Sequence, residues 1–247
     1  MLTKIIESLQ HPLIKHWSEL RLDKAYREEH KRLIITGEKL IRELAKVVSI
    51  HNLIALSPDS RIKAEARVQV TDAILKKITG LAQPDGFAAE VSMPQPQNIR
   101  EKKFLLILDQ IGDPGNLGTL LRTALALRWE GVILTPGTVD LFNDKALRAA
   151  KGATFHLPYD RLSTSEIAQL IRENKIYAFT GDTEGEPLGR LAFHSPLALI
   201  LSSESGGPGP WTSSCSRKIT IPMDKKVESL NVATSGAILL YTMRNFS

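Results

Sequence analysis

The first part of the chain, residues 1 to about 91, shows short apolar runs that alternate with helical patterns. Apolar residues at helical spacing predict one helix over 12–26, a second from Gly37 to about Ala45, and a third capped by Asp72. Short strands and helices in alternation indicate a small α/β module. The runs of strand length lie at 33–36, 47–50, 53–56 and 68–71.

From residue 104 onward the apolar runs become continuous, and helical patterns separate them. A strand that is apolar throughout is buried on both faces, so this part predicts a parallel sheet covered by helices. Ligands of such sheets bind beyond the carboxyl ends of the strands. The predicted strands lie at 104–108, 132–134, 176–179 and 197–201, and the helices at 117–127, 145–150 and 165–173.

The segment between these parts is rich in proline and glutamine and has no periodicity, which is typical of an extended linker. The pattern therefore predicts a first domain at 1–91, a linker at 92–101 and a second domain at 102–247.

Composition narrows the functional class only a little. The net charge is +5, of which residues 1–100 carry 16 − 12 = +4 and the remainder 16 − 15 = +1. This excess favours an anionic partner such as nucleic acid for the first domain, although a solvated basic surface explains it equally well.

The single cysteine, Cys215, excludes an internal disulfide and indicates a reducing compartment. We find no signal-peptide pattern and no apolar run of about 18 residues, so we expect a cytoplasmic protein without a membrane partner. The six histidines show no metal-ligand spacing, and we expect no metal.

The strand at 104–108 ends in a segment with candidate chemistry. Asp113 starts a predicted turn, and Asn116 is a predicted N-cap for the helix that follows. Arg122 lies in the first two turns of that otherwise apolar helix, where a merely solvated arginine is the plain alternative. Gly118 costs about 1 kcal/mol relative to alanine inside a helix, which hints at a close backbone approach.

Two later segments also place polar residues after strands. The strand at 197–201 leads into a loop of small residues, 202–210, whose only charge is Glu204. The last segment begins with a strand at 219–221, and its final helix, 230–241, is predicted to be capped by Ser229. Ser229 and Asn231 stand where a ligand would meet free backbone amides.

Several common sites are absent from the sequence. There is no G-x-x-x-x-G-K-[ST] phosphate loop, no G-x-G-x-x-G after the first continuous strand and no G-x-S-x-G. The sequence therefore lacks the glycine motif expected of a nucleotide-dependent oxidoreductase on an open α/β sheet.

The three segments, taken in order, resemble the three motifs of the SpoU (TrmH-like) family of RNA 2′-O-ribose methyltransferases in the SPOUT superfamily. The resemblance covers about residues 104–244, and the segment from residue 8 to Glu38 resembles the L30e-like substrate-binding domain of many members. It implies an α/β fold in which a small L30e-like domain precedes a parallel-sheet SPOUT domain with a C-terminal trefoil knot. The matching residues are Asn116-x-Gly118-x-x-x-Arg122, Glu204, Ile221-Pro222-Met223 and Ser229-Leu230-Asn231-Val232.

The resemblance also implies a homodimeric enzyme that uses S-adenosyl-L-methionine (AdoMet). It places the catalytic role on Arg122, held in register with the ribose by Asn116, Glu204, Ser229 and Asn231. A guanidinium keeps its proton, so we expect Arg122 to anchor a phosphate and stabilise a developing alkoxide rather than act as a base. The positions that match cofactor contacts are Ser202, Gly206, Ile221, Met223 and Leu230.

Ser202 and Ser205 stand where glycines are usual in the family, so weaker AdoMet binding or lost activity stays open. The expected substrate is structured RNA, with ribosomal RNA preferred over tRNA because the L30e scaffold also occurs in ribosomal proteins. RNA, unlike DNA, offers the 2′-hydroxyl. A tRNA methyltransferase and a non-catalytic RNA-binding protein on the same scaffold are the alternatives.

Overall fold

The computed structural model describes residues 3–59, 61–203, 207–224 and 226–245. The first half of the chain alternates short strands and helices as predicted. Its elements are β1 (Thr3–Ile6), α1 (Pro12–Leu22), α2 (Lys24–His30), β2 (Arg32–Thr36), α3 (Glu38–Leu44), β3 (Ile50–Ala55), β4 (Ala66–Val70), α4 (Asp72–Thr79) and β5 (Phe87–Ser92).

The second half is the predicted alternation of buried strands and helices. Its elements are β6 (Phe104–Asp109), α5 (Pro114–Ala126), β7 (Gly131–Leu134), α6 (Asp144–Ala150), β8 (Tyr159–Arg161), α7 (Thr164–Glu173), β9 (Tyr177–Pro187), β10 (Leu197–Ser202), β11 (Arg217–Thr220) and α8 (Val232–Asn245). Short 3₁₀ turns lie at Ala153–Phe155, Leu188–Arg190 and Thr212–Ser214.

The chain forms two compact units. The first contains Met1–Pro94 together with Phe142–Phe155, and the second contains Gln95–Leu141 and His156–Ser247. In the first unit the strand order is β1-β4-β3-β5-β2. The pairs β1–β4 and β4–β3 are parallel, whereas β3–β5 and β5–β2 are antiparallel, so this sheet is mixed.

The second unit holds a six-stranded sheet in the order β11-β9-β10-β6-β7-β8, and every pair in it is parallel. All six residues of β6, at the centre, are buried, as its continuous apolar run predicts. The register of β10 on β6 places Ser202 beside Asp109 at the carboxyl end of the sheet. This is the edge at which ligands are expected.

The C-terminal helix α8 packs against α5 and β10. Gly236 permits this contact, because a Cβ atom there would lie 2.4 Å from Leu120 Cδ2 and 2.8 Å from Leu201 Cδ1. The sequence therefore uses glycine inside a helix at the point where α8 crosses its neighbours. Within the described residues no helix is both long and apolar enough to cross a membrane.

Several helix ends differ from the sequence-based prediction. The helix predicted over 12–26 breaks at Asp23, whose backbone is extended and whose side chain accepts the amide of Tyr26. Thr71, and not Asp72, caps α4. Similarly, Asp113 caps α5, so the cap assigned to Asn116 is wrong and Asn116 lies in the first turn. The run at 53–56 lies largely within β3 (Ile50–Ala55), whereas the strand predicted at 47–50 is wrong, since residues 47–49 are not in a strand.

The cap predicted for the last helix is also wrong. Helix α8 begins at Val232, and the side chain of Asn231 accepts the amide of Ala233 at 2.9 Å. Ser229 lies outside the helix, in the segment that lines the cavity described next. An asparagine oxygen satisfies an orphan amide as well as a serine hydroxyl does, so spacing alone did not decide between the two.

Candidate active site

A cavity of about 210 Å³ opens beside the middle of β9 and the carboxyl ends of β10 and β11. The middle of β9, the loop after β10 and the segment between β11 and α8 form its walls. The described lining residues are Gly181, Asp182, Thr183, Leu201, Ser202, Ser203, Gly207, Pro208, Ile219, Thr220, Ile221, Met223, Ser229, Leu230, Val232, Ser235 and Leu239.

Five of the residues predicted from the sequence line this cavity. Ser202 comes from the end of β10, and the others follow β11: Ile221, Met223, Ser229 and Leu230. The fold therefore brings together two segments that are about 20 residues apart in the chain. Glu204, Ser205 and Gly206 lie outside the described residues, and their predicted roles stay predictions.

A second contact joins the first and third predicted motifs. The side-chain amide of Asn231 donates to Asn116 Oδ1 at 3.1 Å. Asn116 lies in the first turn of α5, and Asn231 immediately precedes α8. The contact places the two predicted asparagines side by side, at the start of both helices.

Arg122 lies on α5, exposed to solvent, and is not one of the described residues that line the cavity. Within the described ranges its guanidinium makes no hydrogen bond or ion pair. Arg122 therefore lies on the same helix as Asn116, and its guanidinium is accessible to a bound molecule.

A buried carboxylate that none of the predicted motifs includes lies beside the cavity. Asp109 ends β6 and is 1% exposed. Its Oδ1 accepts the hydroxyl of Thr135 at 2.9 Å, and its Oδ2 accepts Trp211 Nε1 at 3.3 Å and the hydroxyl of Ser202 at 3.4 Å. Because a buried charge must be hydrogen-bonded, these donors fix Ser202 and Trp211 to the end of β6. The sequence feature that could have identified Asp109 is its position, as an acidic residue directly after the continuous apolar run at 104–108.

A second missed acid, Asp182, lines the cavity itself. Its side chain is 12% exposed and lies 2.8 Å from the ammonium of Lys218 on β11. Burial alone would raise the pKa of this carboxyl, but hydrogen bonds from the Glu184 amide and from Lys218 outweigh burial and lower the pKa. Asp182 is therefore an anion at neutral pH.

Two further features concern the arrangement of possible metal ligands and the thiol of Cys215. Within the described parts of the chain, no group of three or more histidine, cysteine, aspartate and glutamate side chains is arranged to hold a metal ion. Burial raises the pKa of the Cys215 thiol, which disfavours the thiolate. The cavity instead offers apolar walls, hydroxyls and one described carboxylate.

Comparison with known families matches both parts of the chain. Residues 103–241 match the SpoU rRNA Methylase family, and residues 11–89 match the MRM3-like substrate binding domain. The first match covers more than half of the 247 residues.

The chain is 33% identical to the 23S rRNA (guanosine(2553)-2′-O)-methyltransferase RlmP of Bacillus subtilis, over 98% of this chain and 99% of that protein. It also resembles a putative RNA methyltransferase of the TrmH family from Porphyromonas gingivalis, with a TM-score of 0.82, 28% identity and coverage of 97% and 100% of the two chains. An AdoMet-bound rRNA methyltransferase from Sinorhizobium meliloti shares the fold, with a TM-score of 0.88, 23% identity and 98% coverage of both chains.

These matches confirm the resemblance on which the motifs were assigned. They also confirm the parallel α/β fold class and the predicted enzyme class, an AdoMet-dependent RNA 2′-O-ribose methyltransferase. The fold and the sequence agree on one conclusion. This chain belongs to the SpoU rRNA methylase family.

Proposed function

We propose that this enzyme methylates a ribose 2′-hydroxyl of ribosomal RNA and holds AdoMet in the cavity beside the middle of β9 and the carboxyl ends of β10 and β11. The observation that carries the site assignment is the convergence on one cavity of Ser202, Ile221, Met223, Ser229 and Leu230. The relationship to RlmP supports ribosomal RNA as the substrate class.

The cavity lining suits this cofactor. Leu201, Leu230 and Leu239 offer apolar surface for an adenine ring. The hydroxyls of Ser202 and Thr220 donate to Asp109 and to the Thr183 carbonyl, and their oxygens keep acceptor capacity for donor groups of the cofactor. Ser202, where the family usually has glycine, turns its hydroxyl toward Asp109 at 3.4 Å. This bond supports the proposal that the serine is accommodated beside the cofactor.

Bound AdoMet supplies an activated methyl group on a sulfonium centre, so the protein must chiefly orient the ribose oxygen and manage its proton. We assign the anchoring of the neighbouring phosphate, and stabilisation of the developing alkoxide, to Arg122. The Asn116–Asn231 pair would hold the ribose in register, with Ser229 and Glu204 as further polar contacts.

We further propose that the enzyme acts as a homodimer formed through α5 and α8. Two large apolar side chains of α8 are exposed, Ile238 at 38% and Tyr241 at 56%. Arg122 projects from the adjacent α5 without lining the cavity of its own chain. A second copy on this face would cover the apolar side chains and give Arg122 access to the partner's cavity.

The trefoil knot and the cytoplasmic location belong to the same proposal. Strand β11 pairs with β9 at the sheet edge, whereas the following helix α8 packs back on β10 and α5. This return path supports a C-terminal segment threaded through a loop, a rare exception to ordinary chain topology. The single cysteine supports a reducing compartment.

The test is methyl transfer from radiolabelled AdoMet to ribosomal RNA and to tRNA, with the modified ribose mapped. We expect Arg122→Ala to abolish transfer while calorimetry shows nearly unchanged AdoMet affinity. Arg172→Ala, which removes an exposed arginine on α7, should leave both unchanged. Equal loss of transfer and AdoMet affinity in Arg122→Ala would contradict its assigned role. Absence of AdoMet binding by the unmodified protein would favour a non-catalytic RNA-binding protein.

A further inference from the structure

In the cavity wall formed by β9, residues 181–185 leave the regular pairing with β11, and we call this segment the excursion. The parallel pairing of β11 with β9 runs through Thr180↔Lys218 and then resumes at Glu186↔Ile219, so residues 181–185 are not paired in register with any residue of β11. Gly185 makes the excursion possible, because a Cβ atom there would lie 2.7 Å from backbone atoms of Ile219. Gly181, Asp182 and Thr183, on the excursion, line the cavity.

Asp182 is held within this excursion by three contacts. The amide of Glu184 donates to Oδ1 at 2.9 Å, the ammonium of Lys218 lies 2.8 Å from Oδ2, and the amide of Thr183 gives a further hydrogen bond to the carboxylate. A carboxylate offers about four acceptor positions. Asp182 therefore keeps acceptor capacity beyond these three contacts.

The charge of Asp182 is distinctive within the cavity. The other described lining residues are neutral glycine, proline, serine, threonine, methionine and aliphatic side chains. Lys218, the partner of Asp182, does not line the cavity, and its side chain is 49% exposed. Asp182 is therefore the charged residue among the described lining of the cavity, while its neutralising cation belongs to a half-exposed side chain outside that lining.

We propose that Asp182 is a cofactor-binding residue that accepts a hydrogen bond from a donor group of AdoMet, either the ammonium of its amino-acid part or the ribose hydroxyls. This inference rests on the proposed function, since it assumes that AdoMet occupies the cavity. A carboxylate suits either donor, because charge-assisted hydrogen bonds are stronger than neutral ones. The attraction gains further strength inside a cavity with apolar walls.

Two variants separate direct contact from a merely structural role. Asp182→Asn keeps the size and one acceptor oxygen but removes the charge, and we expect the Kd for AdoMet to rise about tenfold or more. Lys218→Met removes the cation but leaves the carboxylate of the lining residue Asp182 in place. We expect its Kd for AdoMet to be unchanged or lower, because the carboxylate would no longer be neutralised.

The measurement is calorimetric titration of the unmodified protein and both variants, with thermal unfolding to verify that each variant is folded. Three ligands identify the donor group: AdoMet, S-adenosylhomocysteine and 5′-methylthioadenosine, which lacks the amino-acid part. A loss confined to the first two ligands assigns the contact to the ammonium. A loss shared by all three assigns it to the ribose hydroxyls.

The inference is overturned if Asp182→Asn binds AdoMet as the unmodified protein does. It is overturned equally if both variants lose the same affinity, because the Asp182–Lys218 pair would then only shape the excursion. If Asp182→Asn does not fold, Asp182→Glu and Asp182→Ala are compared instead. Asp182→Glu retains the charge and should bind AdoMet more tightly than Asp182→Ala, and equal affinity of the two would overturn the inference. Failure of the unmodified protein to bind AdoMet would instead refute the proposed function.

Discussion

The side chain of Asn231 joins the starts of two helices, because its amide nitrogen donates to Asn116 at 3.1 Å while its oxygen accepts the amide of Ala233 at 2.9 Å. One residue thus caps α8 and contacts the first turn of α5. Since Arg122 also lies on α5, this contact relates the proposed catalytic arginine to the segment that lines the cavity.

Variants of the two asparagines should separate these roles. Asn116→Ala removes only the link, so we expect lower methyl transfer with little loss of stability. Asn231→Ala also removes the cap of α8 and should lose about 1 kcal/mol more of the free energy of unfolding. Urea denaturation and a transfer assay measure the two effects. Full activity in Asn116→Ala would show that the link does not serve the reaction.

The buried carboxylate of Asp109 predicts coupling to Trp211. Trp211→Phe removes a donor to Oδ2, and hydrogen bonds to charged groups contribute about 1.5–3 kcal/mol. In an Asp109→Asn background the same change should cost less, giving a coupling energy of about 0.5–3 kcal/mol in a double-mutant cycle. Urea denaturation followed by circular dichroism gives the four stabilities. Strict additivity would mean that the two groups do not interact.

Asp59 predicts a pH-dependent contribution to the stability of the first unit. Hydrogen bonds from Arg61 and then from Arg42 hold the pKa of this carboxyl well below its usual range. A depressed folded-state pKa adds stability above the unfolded value of about 3.9, and this stability is lost as the pH falls toward the folded-state pKa.

Asp59→Asn should therefore unfold at a lower temperature than the unmodified protein at pH 7, and the difference should shrink below about pH 4. Thermal unfolding of both proteins between about pH 3 and pH 8 measures this difference in melting temperature. Glu7→Gln, at an exposed position, is the matched control and should change the melting temperature little. A difference that grew on acidification would contradict the assignment.

The dimer proposal predicts complementation between two inactive chains. Arg122→Ala keeps an intact cavity, and Leu230→Trp should block the cavity while keeping Arg122. If Arg122 serves the partner's cavity, dimers that contain one chain of each kind recover one working site. Co-expression with two affinity tags isolates such dimers, and their methyl transfer is then measured. If the arginine serves its own chain, the mixed dimer stays inactive.

The sequence predicted elements well where burial is uniform. Strand β6 was recognisable because all of its residues are buried, whereas β5 carries the buried Glu90 within its apolar run and was not predicted. The three residues of β8 include one buried side chain, Tyr159, and give no apolar run. A carboxylate satisfied by tertiary contacts, such as that of Glu90, is not visible in local periodicity.

The sequence predicted those residues of the candidate site that lie within the recognised motif segments. Ser202 and Leu230 could be named because each lies in a recognisable segment, and both line the cavity. Asp182 could not, because its place in the wall depends on a register shift between β9 and β11. That shift is set by the approach of Gly185 to the backbone of Ile219, which is a relationship between strands that are distant in the chain.

The grouping of Phe142–Phe155 with the first unit bears on how this enzyme can be recombined. The chain crosses between the units after Pro94, Leu141 and Phe155. In the first unit α6 packs on β2, and Gly152 lies so close to Leu40 that an added Cβ would approach it to 2.8 Å. A first unit transplanted from a relative would therefore need its own version of residues 142–155. A single cut in the segment after Pro94 therefore cannot separate the two units, because it leaves residues 142–155 on the wrong side.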